Sequence, residues 1–177
     1  MDKRILIVIN MQYGFLRTRQ MQDVAVHLSR LLKKKIFDVV IATRFSYADA
    51  FTCEEYPDWV EIKTENGAQL FPEIGRYADA VDINSTLSCV TPTLLDRLIG
   101  LNDGTYPTTV YLAGAETNTS VLASAIALLD HRIYPVILSD CCGSGDGDLY
   151  HRSGLFCLER ILGMESVIDS GAIPQDH

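Results

Sequence analysis

Short, continuously apolar runs separated by helical patterns constrain the fold of this 177-residue chain more than any other feature. Runs with strand character occur at residues 5–9, 39–42, 80–83, 109–113 and 136–138, with a weaker one at 166–168. Most are apolar at every position rather than at alternate ones, which is the pattern of strands buried on both faces. Between them, apolar residues recur at helical spacing: Val24, Leu28, Leu31 and Leu32, then Leu94, Leu95 and Leu98. Val121, Leu122, Ala125, Leu128 and Leu129 form a third such set, and Leu155, Leu158 and Leu162 a fourth. Alternation of strand and helix calls for crossover connections. The expected fold is therefore α/β, a three-layer α/β/α sandwich with a mostly parallel, about six-stranded sheet. Hydrophobic content of 47% and charged content of 21% are enough to fill one such domain over residues 1–177.

The net charge of −8 argues against a nucleic-acid partner, because such binding rests on clustered cations that neutralise phosphates. The basic run Lys33-Lys34-Lys35 falls at the end of an expected helix, where it complements the dipole. Met1-Asp-Lys-Arg leads into only about five apolar residues, too few for a membrane span or a secretory leader. The expectation is a cytoplasmic protein with no membrane partner. Cys53, Cys89, Cys141, Cys142 and Cys157 are odd in number and form no C-x-x-C pair, so neither a disulfide framework nor a zinc site is indicated. Cys53, Cys89, Cys141 and Cys142 read as small buried hydrophobes, with a displaced reactive thiol as the alternative.

Parallel α/β sheets place their sites at the carboxyl ends of the strands. That rule gathers Asn10, residues 44–47, Asn84, residues 115–120 and residues 140–142 on one rim. The run 109–113 ends at Gly114, and Thr117, Asn118 and Thr119 carry helix-starting chemistry. Ser120 then sits in the first turn of a helix, where free N–H groups and the dipole stabilise an anion. Residues 46–73 fit a long loop with a short helix, carrying Tyr47, Phe51, Tyr56 and Trp59 just after Phe45. Its aromatics either wall a pocket, with Phe45 and Trp59 as candidates, or form a satellite core, which is the plainer reading. Gly143-Ser-Gly-Asp-Gly-Asp148 lacks calcium-loop spacing and a P-loop Lys, and reads as a helix entry capped by Asp146 or Asp148.

Three blocks carry a family resemblance. Ile7-Val-Ile-Asn-Met-Gln-Tyr-Gly-Phe15, Asn84-Ser-Thr-Leu-Ser-Cys-Val-Thr-Pro-Thr-Leu-Leu95 and Gly114-Ala-Glu-Thr-Asn-Thr-Ser-Val-Leu122 are similar, in order and spacing, to the motifs of isochorismatase-like cysteine hydrolases. That superfamily includes nicotinamidases and N-carbamoylsarcosine amidases. Ile133-Tyr-Pro-Val-Ile-Leu-Ser-Asp-Cys-Cys142 and His151-Arg-Ser-Gly-Leu155 also fit, so the resemblance spans nearly the whole chain. It implies that Asn10 stands where the family has its catalytic Asp, Asn84 where it has Lys, and Ser120 where it has the nucleophilic Cys. It further implies an oxyanion-binding turn at Ala115, Glu116 and Thr119, with a cis Ala115–Glu116 peptide. The family's metal-binding histidines have no counterpart in residues 44–50, so no metal and no cofactor are expected.

In that chemistry a thiolate attacks, the Asp takes its proton and the Lys tunes both. Asn10 and Asn84 carry neither charge nor a useful base, and the Ser120 hydroxyl is far less acidic than a thiol. Glu116, four residues before Ser120, is the candidate for a relocated base. Three readings follow. The chain is a pseudoenzyme that keeps a pocket for a small carbonyl or carboxylate ligand, a divergent C–N hydrolase using Ser120, or a structural subunit. A homo-oligomer is the expected assembly.

Overall fold

The computed structural model describes residues 2–47 and 57–174. Strands β1 (Ile5–Ile9), β2 (Val39–Phe45), β3 (Ala80–Asn84), β4 (Thr109–Ala115), β5 (Tyr134–Gly143) and β6 (Val167–Ile168) form one sheet in the order β3-β2-β1-β4-β5-β6. All neighbouring pairs run parallel. Helices α1 (Arg19–Lys33), α2 (Pro72–Tyr77), α3 (Pro92–Leu101), α4 (Leu122–Asp130) and α5 (Asp148–Leu162) cover the two faces. This is the three-layer sandwich that the alternation of apolar runs requires.

Successive side chains of a strand point to opposite faces, which explains why β1 is apolar throughout. Leu6 and Val8 enter a core with Met21, Leu28 and Leu31 of α1 and Ile74 of α2. Ile5, Ile7 and Ile9 enter the other core, with Leu94 of α3, Leu128 of α4 and Leu158 of α5. All five β1 residues are fully buried. Burial of each such side chain contributes roughly 1.5–3 kcal/mol.

β3 departs from that pattern because it is an edge strand. Val81 and Ile83 are exposed, while Asp82 turns inward to a bidentate pairing with Arg97 of α3. β5 is longer than its apolar run predicts. It continues through Ser139 and Asp140, and a bulge sets five steps of β5, from Ile137 to Cys142, against two of β4, from Leu112 to Gly114.

Helix starts follow local chemistry. The Thr18 hydroxyl accepts from Met21 N and the Thr91 hydroxyl from Leu94 N, with Pro92 at the first helical position of α3. Arg30 and Lys33 occupy the last turn of α1. The expected capping of α5 is overturned: Gly147 holds the cap position, and no side chain caps the helix. Asp148 instead pairs with Arg152 one turn on, and Asp146 turns back to Arg17 at 3.0 Å. No helix among the described residues is long and apolar enough to cross a membrane.

Candidate functional site

From β1 the chain builds outward through β2 and β3, then returns to add β4 on the other side of β1. Strand order therefore reverses between β1 and β4, which makes their carboxyl ends the natural binding crevice. Asn10 directly follows β1, and Ser120 lies in the π-helical turn Thr117–Val121 that follows β4. That turn is closed by Val121 N donating to Glu116 O at 3.0 Å, one residue wider than an α-helical bond.

The backbone is shaped for close approach here. Gly114 pairs with Ile9 at a φ of +118°, and a Cβ at Gly114 would run into the Ile9 backbone. Asn10 has a φ of +49°, a left-handed conformation that Asn tolerates better than most residues. The Ala115–Glu116 peptide is cis. On the far side of the turn, Gly154 lets α5 cross close over Thr117 and Asn118, since a Cβ there would lie 2.7 Å from Asn118 N.

Asn10 and Ser120 are both fully buried and in contact. Asn10 Nδ2 donates to Ser120 Oγ at 3.3 Å, and the Thr43 hydroxyl donates to Asn10 Oδ1 at the same distance. The Asn10 amide is thus held between two hydroxyls, those of Thr43 and Ser120. Asn84 lies on the same rim at the end of β3, paired in register with Phe45, but its printed bonds are local: Nδ2 donates to the carbonyls of Thr86 and Ser88. Its Oδ1 is buried without a partner, as is Thr119 Oγ1 next to Ser120.

Ala115 is fully buried at the end of β4, opposite Gly143. Glu116 is also buried, and its Oε1 accepts from Gly145 N at 3.0 Å and lies 3.8 Å from Arg17 Nη2. Arg17 further contacts Glu61 and Asp146. These bonds draw the Glu116 carboxylate toward Arg17 and Gly145.

Of the two readings of Phe45 and Trp59, the structure gives the core. They are 1% and 4% exposed and stack edge-to-face with each other, and Trp59 stacks likewise on Phe15. Phe51, Tyr56 and Cys53 lie outside the described residues. Burial pushes the Cys89 thiol up to about 11 and that of Cys142 up to about 12, and raises Cys141 as well. None of these three is activated as a nucleophile. His151 shares a 2.8 Å hydrogen bond through Nδ1 with the Thr117 hydroxyl, and burial lowers its pKa.

Two positioning residues, Thr43 and Arg17, escaped the sequence reading, and a third, Gln12, was read there only as part of a motif. Thr43 orients Asn10, and the only signal for it is a polar residue just past the apolar run of β2. Arg17 anchors Glu116, with no signal in spacing. Gln12 clamps the ends of β1 and β2, donating to Phe45 O and accepting from Phe45 N.

The family model for the isochorismatase domain matches residues 4–167. The chain belongs to the isochorismatase family. Among solved structures, an isochorismatase-like hydrolase from Alkaliphilus metalliredigens matches with a TM-score of 0.74 at 20% identity, covering 96% of this chain and 95% of that one. Nicotinamidase PncA from Bacillus subtilis matches with a TM-score of 0.71 at 20% identity, covering 91% and 97%. The MAR1 ribonuclease from Caenorhabditis elegans matches with a TM-score of 0.72 at 15% identity, covering 97% and 79%. At these identities the likeness establishes the isochorismatase fold alone. No curated protein sequence matches the chain.

Proposed function

We propose that this isochorismatase-family protein is a cytoplasmic pseudoenzyme that binds a small carbonyl or carboxylate ligand at the β1/β4 crevice. The Asn10–Ser120 contact carries the reading. A nucleophile at position 120 needs a neighbour that takes its proton, and the group in contact with it is the Asn10 amide, which is no base whichever end faces the hydroxyl. By the resemblance, the positions of the family's Asp, Lys and Cys hold Asn10, Asn84 and Ser120, so nucleophile, base and cation are all changed. Glu116 does not replace the base, since its carboxylate is engaged by Gly145 and Arg17.

Unspent polar capacity supports a retained pocket. A buried polar group without a partner is costly, and Thr119 Oγ1 and Asn84 Oδ1 are two such groups on the binding rim. A ligand carbonyl or carboxylate is the natural acceptor for the Thr119 hydroxyl. The free, buried Cys89, Cys141 and Cys142 suit a reducing compartment.

The test pairs turnover with binding. Purified protein is expected not to hydrolyse nicotinamide or isochorismate above the buffer rate, and to gain thermal stability from small aromatic or hydroxy carboxylates. Turnover that scales with protein concentration and is abolished by Ser120→Ala would replace this reading with a divergent C–N hydrolase. The structural-subunit reading has its own observation: Leu149, Phe156 and Met164, on α5 and just after it, are 74%, 72% and 76% exposed. A stable homo-oligomer by light scattering, with neither turnover nor ligand stabilisation, would favour it.

A further inference from the structure

Outside the crevice, α1, β5 and the 3-10 turn Ser170–Ala172 bring together a histidine, a carboxylate and a thiol. His27 projects from α1, Asp140 and Cys141 come from the bulged part of β5, and one atom from each lies within 4.8 Å of the other two. Adjacent residues of a regular strand point to opposite faces. The bulge is what lets Asp140 and Cys141 serve one cluster. Its five-against-two register turns Asp140 toward α1 while Cys141 stays in the core shared with Leu138.

We propose that His27 Nε2, an Asp140 carboxylate oxygen and Cys141 Sγ form a binding site for one zinc-type divalent transition-metal ion. The donor set of nitrogen, oxygen and thiolate sulfur is the kind that zinc selects over magnesium or calcium. The carboxylate is already oriented, as metal-ligating carboxylates are: Ser170 N donates to Asp140 Oδ1 at 2.8 Å and Ser170 Oγ to Oδ2 at 2.5 Å. His27 Nε2 lies 2.8 Å from Asp140 Oδ2 and 3.3 Å from Ser170 Oγ. Two ligand atoms about 2 Å from one ion sit a little over 3 Å apart, so between His27 and Asp140 the ion needs His27 to withdraw by several tenths of an ångström. His27 can do so, because its side chain is 47% exposed.

His27 and Asp140 also line a groove of about 640 Å³, together with Arg19, Asp23 and Arg30. Binding forms the metal–sulfur bond as the Cys141 thiol loses its proton to solvent. The ion's charge then offsets the burial and the Asp140 charge that otherwise hold this thiol protonated.

Cobalt(II) titration of the untagged protein tests the site. We expect one equivalent to produce a thiolate-to-metal charge-transfer band and four-coordinate visible bands, both removed by added zinc(II). A Cys53→Ser/Cys157→Ser double variant should give the same spectrum, and Cys141→Ala should lack the charge-transfer band. Ser170→Ala and His27→Ala should weaken binding roughly 10- to 100-fold. Absence of the band in the parent protein, or its survival in Cys141→Ala, overturns the proposal. Should Cys141→Ala fail to fold, the half-exposed His27→Ala decides: unchanged cobalt affinity in a protein with native circular dichroism overturns it equally. None of these outcomes depends on what the β1/β4 crevice binds.

Discussion

Asn10 Nδ2 lies 3.3 Å from Ser120 Oγ, so the buried pair at the switch point is an amide against a hydroxyl, neither of them a base. Changing Asn10 to Asp would set a carboxylate in the same fully buried place, where desolvation disfavours charge and raises the carboxyl pKa above its unfolded value of about 3.9. The folded variant then binds more protons than the unfolded chain, and it loses stability as pH rises through that interval. We expect Asn10→Asp to fall below the parent by about 1–3 kcal/mol at pH 8 and to approach it near pH 4. Urea unfolding at several pH values measures this. A deficit that does not grow with pH would mean that the Thr43 and Ser120 hydroxyls solvate a carboxylate well, and that the site remains electrostatically ready for a base.

Gly114 is fixed by two independent demands: its φ of +118° and the Ile9 backbone it nearly touches. Gly114→Ala violates both, and the obstructing atoms are main chain that cannot rotate away. A loss of about 3 kcal/mol or more is expected, read as a lower urea midpoint with little change in slope. A Gly154→Ala control probes the other side of the turn. Its added Cβ would lie 2.7 Å from Asn118 N, so it should also destabilise the protein.

The fold was legible because burial on two faces writes a continuous apolar run, and β1 shows this residue by residue. β3 was found as a shorter apolar run broken by Asp82, but its edge position was hidden: Val81 and Ile83 look like core residues in sequence, yet among the described residues no strand lies beyond them. The placement of Asn10, Asn84 and Ser120 on one rim followed from motif order plus the rule on carboxyl ends. The Thr43 hydroxyl's contact with Asn10 did not, because Thr43 is distant in sequence and adjacent only through the β1/β2 pairing. Phe45 and Trp59 left two readings open, because an aromatic side chain suits a pocket wall and a core equally, and only packing distinguishes them. The Asp146 and Asp148 caps failed for a different reason. Arg17, far away in sequence, attracts Asp146 more strongly than a local N–H does.

Asp82 of β3 is 6% exposed and receives two nitrogens of Arg97. Removing the guanidinium leaves a nearly buried carboxylate with no cation, which in a fully buried pair costs about 3–5 kcal/mol. Arg97 is 35% exposed, so water screens part of the loss, and Arg97→Met is expected to destabilise by about 2 kcal/mol. Adding Asp82→Asn should recover part of it, because the stranded charge is then gone. Equal losses in the single and double variants by urea unfolding would show that packing of the Arg97 stem, rather than the ion pair, holds α3 to the edge strand.

His151 supplies a pH signature for the turn that carries Ser120. Burial is the largest influence on its imidazole and lowers its pKa, with nearby Arg152 acting the same way and Asp148 opposing. The folded protein therefore binds fewer protons here than the unfolded chain does. No stability is lost to this residue well above pH 6.5, and a loss develops as pH falls from about 6.5 through the depressed folded value. Replacing His151 with Gln keeps a hydrogen-bonding group near Thr117 Oγ1 and removes the titration. The expected result is a smaller drop in Tm between pH 7.5 and pH 5 for His151→Gln than for the parent. An equal drop would place the acid sensitivity elsewhere and leave the Thr117–His151 bond as a fixed, pH-independent tie between α5 and the turn.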